Sequence, residues 1–266
     1  TLVTSDLANV TKTVVLSPAV SNSRMRFTSD YLFTTFPYDT YAGEIMARYM
    51  HDLGLNTTAV FYVGDTYGNK IYERFRDVYE KELGNDIVIR EAFEQDQQFF
   101  KDAIFRSLKR DPQSFFIVQH SAGGRIVHQL EQLGVTHNIF GTDSFNTPGM
   151  INMLKSRIER VAFPRIAYDP SATKPMQFRE KVKAFYGVTT IPHELYLANA
   201  YDTTKLLLDA IAADGYDGEA IQRYLLTVSD REGITGDLTI NNRREPIRDY
   251  QVMRYKSGRP EVLVTY

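Results

Sequence analysis

The chain has 266 residues, of which 43% are hydrophobic and 24% are charged, values typical of one large or two medium globular domains. Its formal net charge of −2 leaves no basic excess to attract DNA, RNA or an anionic membrane, so nucleic-acid binding is not expected. Cysteine is absent, which excludes disulfides, thiolate nucleophiles and thiolate metal sites.

Strand-like and helix-like stretches alternate along the first part of the chain. The predicted strands cover 13–18, 31–36, 58–63, 87–93, 114–119, 138–143 and 160–167. The predicted helices cover 39–53, the segment from Ile71 to Tyr79, 123–133 and a short helix after Pro148. The strand-like segments are continuous apolar runs instead of strictly alternating ones. This pattern predicts an α/β fold with a parallel sheet flanked by helices on both faces.

The pattern changes after Asp169. Helices are predicted around 174–186, 194–213 and 218–228, followed by tail strands with NN and SG as turn signals. The segments FPYDT and AYDPS are predicted to cross between two lobes. The predicted first lobe therefore combines 1–37 with 168–234, and the predicted second lobe combines 38–167 with 235–266.

Polar groups follow four of the predicted strands. SPAVS offers hydroxyls and free amides, GDTYG offers Tyr67, QHSAGG offers Gln119 and His120, and GTDSF offers Asp143. In an open α/β sheet, ligands bind beyond the carboxyl ends of the strands, so these groups are candidates for binding a small polar molecule. A buried carboxylate without a partner is costly, so Asp143 is either solvated or faces a cation.

Each feature also has a simpler interpretation. Tyr67 before a glycine is consistent with an ordinary turn and helix start, and Asp143 with a helix N-cap or a solvated loop acid. SAGGR lacks the glycine spacing of a phosphate-binding loop, so no nucleotide cofactor is expected. The histidines lack HExxH spacing and the serines lack a GxSxG elbow, so neither a metal site nor an enzyme of these types is expected.

The order and spacing of several segments resemble a periplasmic binding protein of the branched-chain amino acid type, in the type I two-lobed class that delivers solutes to ABC transporters. The segments are VVLSPAVS, YLFTTFPYDTYAGEIMARYM, VFYVGDTYGNKIYERF, LGVTHNIFGTDSF, LANAYDTTKLLLDAI and ITGDLTINNRREP. The resemblance implies a periplasmic or otherwise extracytoplasmic location, with a lipid anchor on the full-length protein as one option. It also implies an ABC transporter permease as partner and no cofactor.

The resemblance further implies how a ligand is held. The first lobe of such proteins binds the carboxylate of an amino acid and the second lobe binds its ammonium group. Carried over to this sequence, Ser21 supplies a hydroxyl and an amide, Ala19 supplies a backbone carbonyl, and Asp143 faces the ammonium group. Tyr67 closes over the α-carbon end of the ligand, and Tyr196 is a weaker candidate for a wall of the first lobe.

The sequence departs from the family pattern at two places. Gln119, next to His120, stands where the family often has an aromatic residue, so a strictly branched aliphatic ligand is not expected. The family also begins with a β-α-β-α-β block that precedes Thr1 in this pattern, which implies an incomplete first lobe. The chain is then expected to be a fragment or to pair with a second copy as a homodimer.

The predicted function is the capture of an amino acid or similar small polar organic solute for uptake by an ABC transporter. The alternative is a ligand-binding sensory or regulatory domain of the same fold. Flanking sequence distinguishes them, since a signal peptide or lipobox supports transport and a DNA-binding or transmembrane segment supports sensing.

Overall fold

The computed structural model describes residues 2–266. The helices, numbered in chain order, are α1 (Ser5–Thr11), α2 (Met25–Thr28), α3 (Thr40–Asp52), α4 (Thr66–Arg76), α5 (Lys101–Leu108), α6 (Gly123–Gln132), α7 (Pro148–Leu154), α8 (Thr173–Tyr186), α9 (Glu194–Asp214) and α10 (Gly218–Leu225). A π-helical segment over Asp77–Glu82 continues α4, and 3-10 segments cover Leu2–Thr4, Asp143–Asn146 and Lys155–Arg160.

The strands follow the predicted order. They are β1 (Val15–Ser17), β2 (Leu32–Thr34), β3 (Thr57–Val63), β4 (Asp86–Phe93), β5 (Ser114–Val118), β6 (Asn138–Gly141), β7 (Val161–Ile166), β8 (Thr239–Ile240), β9 (Pro246–Ile247), β10 (Tyr250–Lys256) and β11 (Arg259–Thr265). The predicted α/β class with a mostly parallel sheet is confirmed. Helix α5 had no counterpart among the predicted elements, because only one side of it is buried and it carries the half-exposed Phe105 on the other.

The chain divides into two compact units, and each contains two separate stretches of sequence. The first unit holds the described residues up to Tyr38 together with Ile166–Asp249. The second unit holds Asp39–Arg165 together with Tyr250–Tyr266. That these units are the two ligand-binding lobes stays a prediction.

The last boundary between the units lies after Asp249, whereas the sequence places it after residue 234. Arg248 links the segment between these positions to the first unit. Its guanidinium donates to the backbone carbonyl of Thr35 at 3.0 Å and to the side-chain oxygen of Asn199 at 2.9 Å. The sequence pattern does not reveal this link, since β8 and β9 are short and their sequence resembles that of the tail strands that follow.

The second unit is built on a seven-stranded sheet with the order β11-β10-β7-β6-β5-β3-β4. Every neighbouring pair from β7 to β4 is parallel, and the hairpin β10–β11 is antiparallel. Strand β5 is buried along its whole length because both faces of the sheet are covered. On one face Phe116 packs on Phe75 of α4, with ring centroids 4.4 Å apart, and on the other Phe115 and Ile117 join a core with Ile126 of α6.

The first unit has less sheet and more helix. Strands β1 and β2 form a parallel pair, and β8 and β9 form a separate antiparallel pair. Its main apolar core joins Phe33 of β2, Leu206 of α9, Leu225 of α10 and Leu238. Burial of these side chains holds the helices against the short strands.

A buried polar network accounts for two segments of the family pattern in the first unit. The carboxylate of Asp202, in LANAYDTT, accepts hydrogen bonds from the backbone N–H groups of Ile234 and Thr235, in ITGDL. A Cβ on Gly233 would lie 2.6 Å from the Asp202 carboxylate, so the turn needs glycine there. These residues therefore hold a turn against α9 and have a structural role.

Candidate functional site

The carboxyl ends of three neighbouring strands bring together the predicted site residues of the second unit. Strands β6, β5 and β3 are adjacent and parallel, so the residues that follow them meet at the same edge of the sheet. Tyr67 follows β3, Gln119 and His120 follow β5, and Asp143 follows β6. Tyr67 contacts His120 and Asp143 directly, and Gln119 is linked to this group through Ser144 and Thr142.

The position of Tyr67 depends on its two neighbours in GDTYG. The carboxylate of Asp65 accepts a hydrogen bond from the Gly68 backbone N–H at 2.8 Å and so caps α4. A Cβ on Gly68 would lie 2.0 Å from the backbone oxygen of Val63, so only glycine lets the helix start this close to the strand end. Tyr67 is thereby held in the first turn of α4, beside the edge of the sheet.

Tyr67 contacts residues from both neighbouring strand ends. Its hydroxyl lies 3.3 Å from Thr142 Oγ1 and also forms a side-chain hydrogen bond with Asp143. Its ring lies against the imidazole of His120, with ring centroids 4.1 Å apart. His120 Nε2 in turn lies 3.4 Å from a carboxylate oxygen of Asp65, which orients the imidazole.

Gln119, directly after β5, is fully buried. Its Nε2 donates to Ser144 Oγ at 3.3 Å. Among the described residues, none supplies a hydrogen-bond donor to its Oε1. Gly123, at the start of α6, leaves room for this side chain, since a Cβ there would lie 2.7 Å from Gln119 Cγ.

The turn that carries Asp143 is fixed by a buried aromatic ring. Phe145 is fully buried, and a Cβ on Gly141 would lie 2.2 Å from its ring. Thr142 Oγ1 lies 2.8 Å from Ser144 Oγ and donates to the Gln119 backbone carbonyl at 3.4 Å. The glycine and phenylalanine of GTDSF therefore shape the turn, while its polar residues face the cluster.

Thr142 and Ser144 are contact residues that the sequence did not single out. Both flank Asp143 within GTDSF, and their hydroxyls connect Tyr67 to Gln119. Their position directly after a buried strand was the available signal, because hydroxyl side chains there adjoin the same sheet edge.

The surroundings of Asp143 disfavour its negative charge. Desolvation raises the pKa of the carboxyl, while hydrogen bonds from the backbone N–H groups of Ser144 and Asp143 and from the Tyr67 hydroxyl act in the opposite direction. Asp143 keeps an exposed surface, so this desolvation comes from crowding neighbours and not from complete removal from water. Burial and the charge of Asp143 also raise the pKa of Tyr67, which stays a neutral phenol.

The predicted residues of the first unit lie around the loop after β1. Ser17 Oγ accepts hydrogen bonds from the backbone N–H groups of Ala19 at 3.4 Å and Val20 at 3.2 Å. Asn199 of α9 donates to the Pro18 carbonyl at 2.6 Å and fixes the loop from the other side. Ser21 follows this braced segment and is partly exposed.

Tyr196 belongs to the first turn of α9 in the same unit. Its ring is stacked on Phe36, with centroids 5.2 Å apart and an interplanar angle of 12°. The side chain is 45% exposed, so it keeps a face that a ligand can reach. The structure thus places Tyr67, Gln119, His120 and Asp143 together in one unit, and Ala19, Ser21 and Tyr196 in the other.

No group of three or more His, Cys, Asp or Glu side chains among residues 2–266 is arranged to hold a metal ion. In the same part of the chain, no helix has the length and hydropathy needed to cross a membrane.

Residues 1–260 match the family model for periplasmic binding proteins. No curated protein matches the sequence.

Solved structures share the fold at low sequence identity. A putative branched-chain amino acid ABC transporter protein from Rhodospirillum rubrum has a TM-score of 0.84 and 20% identity, over 97% of this chain and 75% of that one. A leucine-binding protein, LivK, from Thermotoga maritima has a TM-score of 0.81 and 23% identity, over 98% and 75%. A solute-binding protein from R. palustris in complex with benzoate has a TM-score of 0.76 and 13% identity, over 98% and 73%.

Proposed function

The chain belongs to the periplasmic binding protein family, and from that premise we propose that it captures an amino acid or a similar small polar organic solute for an ABC transporter. The observation that carries the proposal is the exposed carboxylate of Asp143 beside the phenol of Tyr67, at the carboxyl edge of a parallel sheet. Binding is reversible and changes no covalent bond in the solute.

The ammonium group of the ligand is assigned to Asp143. Crowding by its neighbours disfavours the isolated negative charge, so a cation that approaches the carboxylate relieves an existing electrostatic cost. The neutral Tyr67 phenol and the His120 ring, 4.1 Å apart, provide a flat surface for the carbon skeleton beside that charge.

The carboxylate of the ligand is assigned to the first unit. Hydrogen bonds with Ser17 and Asn199 fix the loop after β1, and Ser21 directly follows the fixed residues with its backbone N–H and hydroxyl. Ala19 contributes its backbone carbonyl and Tyr196 an aromatic wall. The names of solved neighbours include leucine and benzoate as ligands, and a carboxylate is the group these two solutes share.

The proposal includes an ABC transporter permease as partner and an extracytoplasmic location, both taken from the family. A lipid anchor and pairing of two copies stay predictions from the sequence.

Titration calorimetry with the full chain tests the ammonium assignment. Wild-type protein is screened against a panel of amino acids, each paired with its deaminated analogue. Asp143→Asn keeps the shape of the side chain and removes its charge. We expect it to weaken amino acid binding by more than about thirtyfold, because the bound ligand buries this charge pair and the loss of one partner of a buried pair costs about 2 kcal/mol or more. The deaminated analogue should lose much less. Equal losses for both ligands would refute the role of Asp143, and no binding to any panel member would refute the proposed function.

A further inference from the structure

The hydroxyl groups in the cluster around Asp143 bond mainly to one another. Thr142 Oγ1 lies 2.8 Å from Ser144 Oγ, where either hydroxyl can be the donor, and 3.4 Å from the Gln119 backbone carbonyl. Tyr67 has a single hydroxyl proton, which goes to Thr142 or to Asp143. Whichever hydroxyl donates, two acceptors of the cluster keep unused capacity, namely the Asp143 carboxylate and the Oε1 atom of Gln119.

A buried carbonyl oxygen without a donor is unusual. Most buried polar side-chain atoms in proteins have a hydrogen-bond partner, and an unmet acceptor destabilises the fold. The inner part of the Gln119 side chain packs against Gly123, whereas its amide end is held through a single bond from Nε2 to Ser144. That single bond is 3.3 Å long, which exceeds the common length of an N–H···O bond.

A hydrogen-bond donor on a bound ligand would satisfy the Oε1 atom of Gln119. Turning the Gln119 amide toward a ligand gives up one long bond and gains a full one. Gln119 follows β5 and Asp143 follows the adjacent strand β6, and neighbouring strands lie about 4.8 Å apart. A donor for Gln119 must therefore sit within a few bonds of the ammonium group that faces Asp143.

We propose, on the basis of the function proposed above, that Gln119 selects amino acids with a hydroxyl group close to the ammonium group over purely aliphatic ones. Exchanging the amide oxygen and nitrogen of Gln119 would leave its nitrogen without a partner instead. A hydroxyl group both donates and accepts, so it satisfies either orientation of the amide. A methyl group at the same place satisfies neither.

The test compares ligand pairs that differ at this one group. L-threonine and L-valine have the same shape, and L-serine and L-alanine form a second pair. Calorimetry should show wild-type protein binding the hydroxyl member about tenfold or more tightly, the preference expected when the analogue leaves a buried polar group unpaired. Gln119→Met has a side chain of similar length without hydrogen-bonding groups, and it should remove or reverse the preference.

Gln132→Met is the matched control, because Gln132 is exposed at the far end of α6. It should keep the wild-type preference, and thermal melting of both variants checks that each is folded. Equal affinity of wild-type protein for both members of each pair, binding confined to aliphatic amino acids, or an unchanged preference in folded Gln119→Met would overturn the role of Gln119 and leave the proposed function standing. Failure of every amino acid to bind would overturn both.

Discussion

Gly68, which has no side chain, determines where the neighbouring Tyr67 lies. The first turn of α4 lies so close to the end of β3 that any Cβ at position 68 would overlap the backbone oxygen of Val63. That close approach places Tyr67 within reach of Thr142 and His120. The position of Tyr67 therefore depends on glycine at position 68, which explains why a tyrosine and a glycine are adjacent in the sequence.

We predict that Gly68→Ala destabilises the protein by about 1–3 kcal/mol or more, because backbone atoms must move to admit the methyl group. Gly149→Ala is the matched control, since Gly149 also lies in the first turn of a helix and a Cβ there would meet nothing within 4 Å. Urea denaturation of both variants measures the difference. Similar denaturation midpoints for the two variants would show that the contact with Val63 does not destabilise Gly68→Ala.

The cluster of side chains at the edge of the sheet was partly predictable, and its role as a ligand site stays a prediction. Tyr67, Gln119, His120 and Asp143 could be found because each follows a recognisable strand, and parallel strands bring their ends together. The contacts of Thr142 and Ser144 and the unmet acceptor of Gln119 could not, since they depend on side-chain rotamers that no sequence pattern encodes.

At the scale of secondary structure elements, two similar helix caps allow the effect of a mutation on stability to be distinguished from its effect on ligand binding. Asp65 caps α4 beside the cluster around Asp143, and Asp217 caps α10 in the first unit by accepting from the Ala220 N–H at 2.8 Å. Asp65 also lies 3.4 Å from His120 Nε2, whereas Asp217 belongs to the other unit. The two caps are chemically alike and differ in their surroundings.

We predict that Asp65→Ala and Asp217→Ala each lower the free energy of unfolding by about 0.5–2 kcal/mol, the usual cost of losing an N-cap. Only Asp65→Ala should also weaken ligand binding, since it releases both the start of α4 and the His120 ring. Chemical denaturation and calorimetry on the same samples check this. A loss of affinity in Asp217→Ala as large as that in Asp65→Ala would contradict it.

Elements with a long apolar run were predictable, and short ones were less so. Strands β3 and β5 are buried and rich in branched and aromatic residues, so their sequence already indicates them. The strands β8 and β9 have only two residues each, and tertiary contacts of Arg248 determine where they belong. Local sequence does not encode such long-range contacts.

At the scale of the whole molecule, both units rely on partly buried carboxylates paired with arginine. In the second unit, Glu44 accepts from Arg74 Nε at 3.0 Å and from Arg48 at 3.0 Å. In the first unit, Glu194 accepts from Arg179 Nε at 2.6 Å and from the Tyr168 hydroxyl at 2.6 Å. Desolvation acts to raise the pKa of each carboxyl, but these hydrogen bonds and charges outweigh it and hold both below the usual 4.5.

We predict that the protein loses stability as the pH falls below about 4.5, the ordinary pKa of a glutamate in the unfolded chain. A carboxyl whose pKa is lower in the folded state stabilises the fold above its unfolded pKa, and that contribution disappears as the pH falls through the folded value. Melting temperatures between neutral pH and pH 3 measure the effect. Glu44→Gln should flatten the acid slope, while Glu180→Gln, at a side chain 72% exposed, should not. Parallel curves for Glu44→Gln and wild-type protein would contradict this role of Glu44.

The discontinuous second unit has a consequence for biosynthesis. Strands β10 and β11 come from Tyr250–Tyr266, yet β10 is the neighbour of β7 within the seven-stranded sheet. Until that last stretch leaves the ribosome, the nascent chain presents the edge of β7 as an open template for intermolecular pairing. Chaperone protection during this interval, or premature termination before Tyr250, should therefore decide how much of the translated protein escapes aggregation.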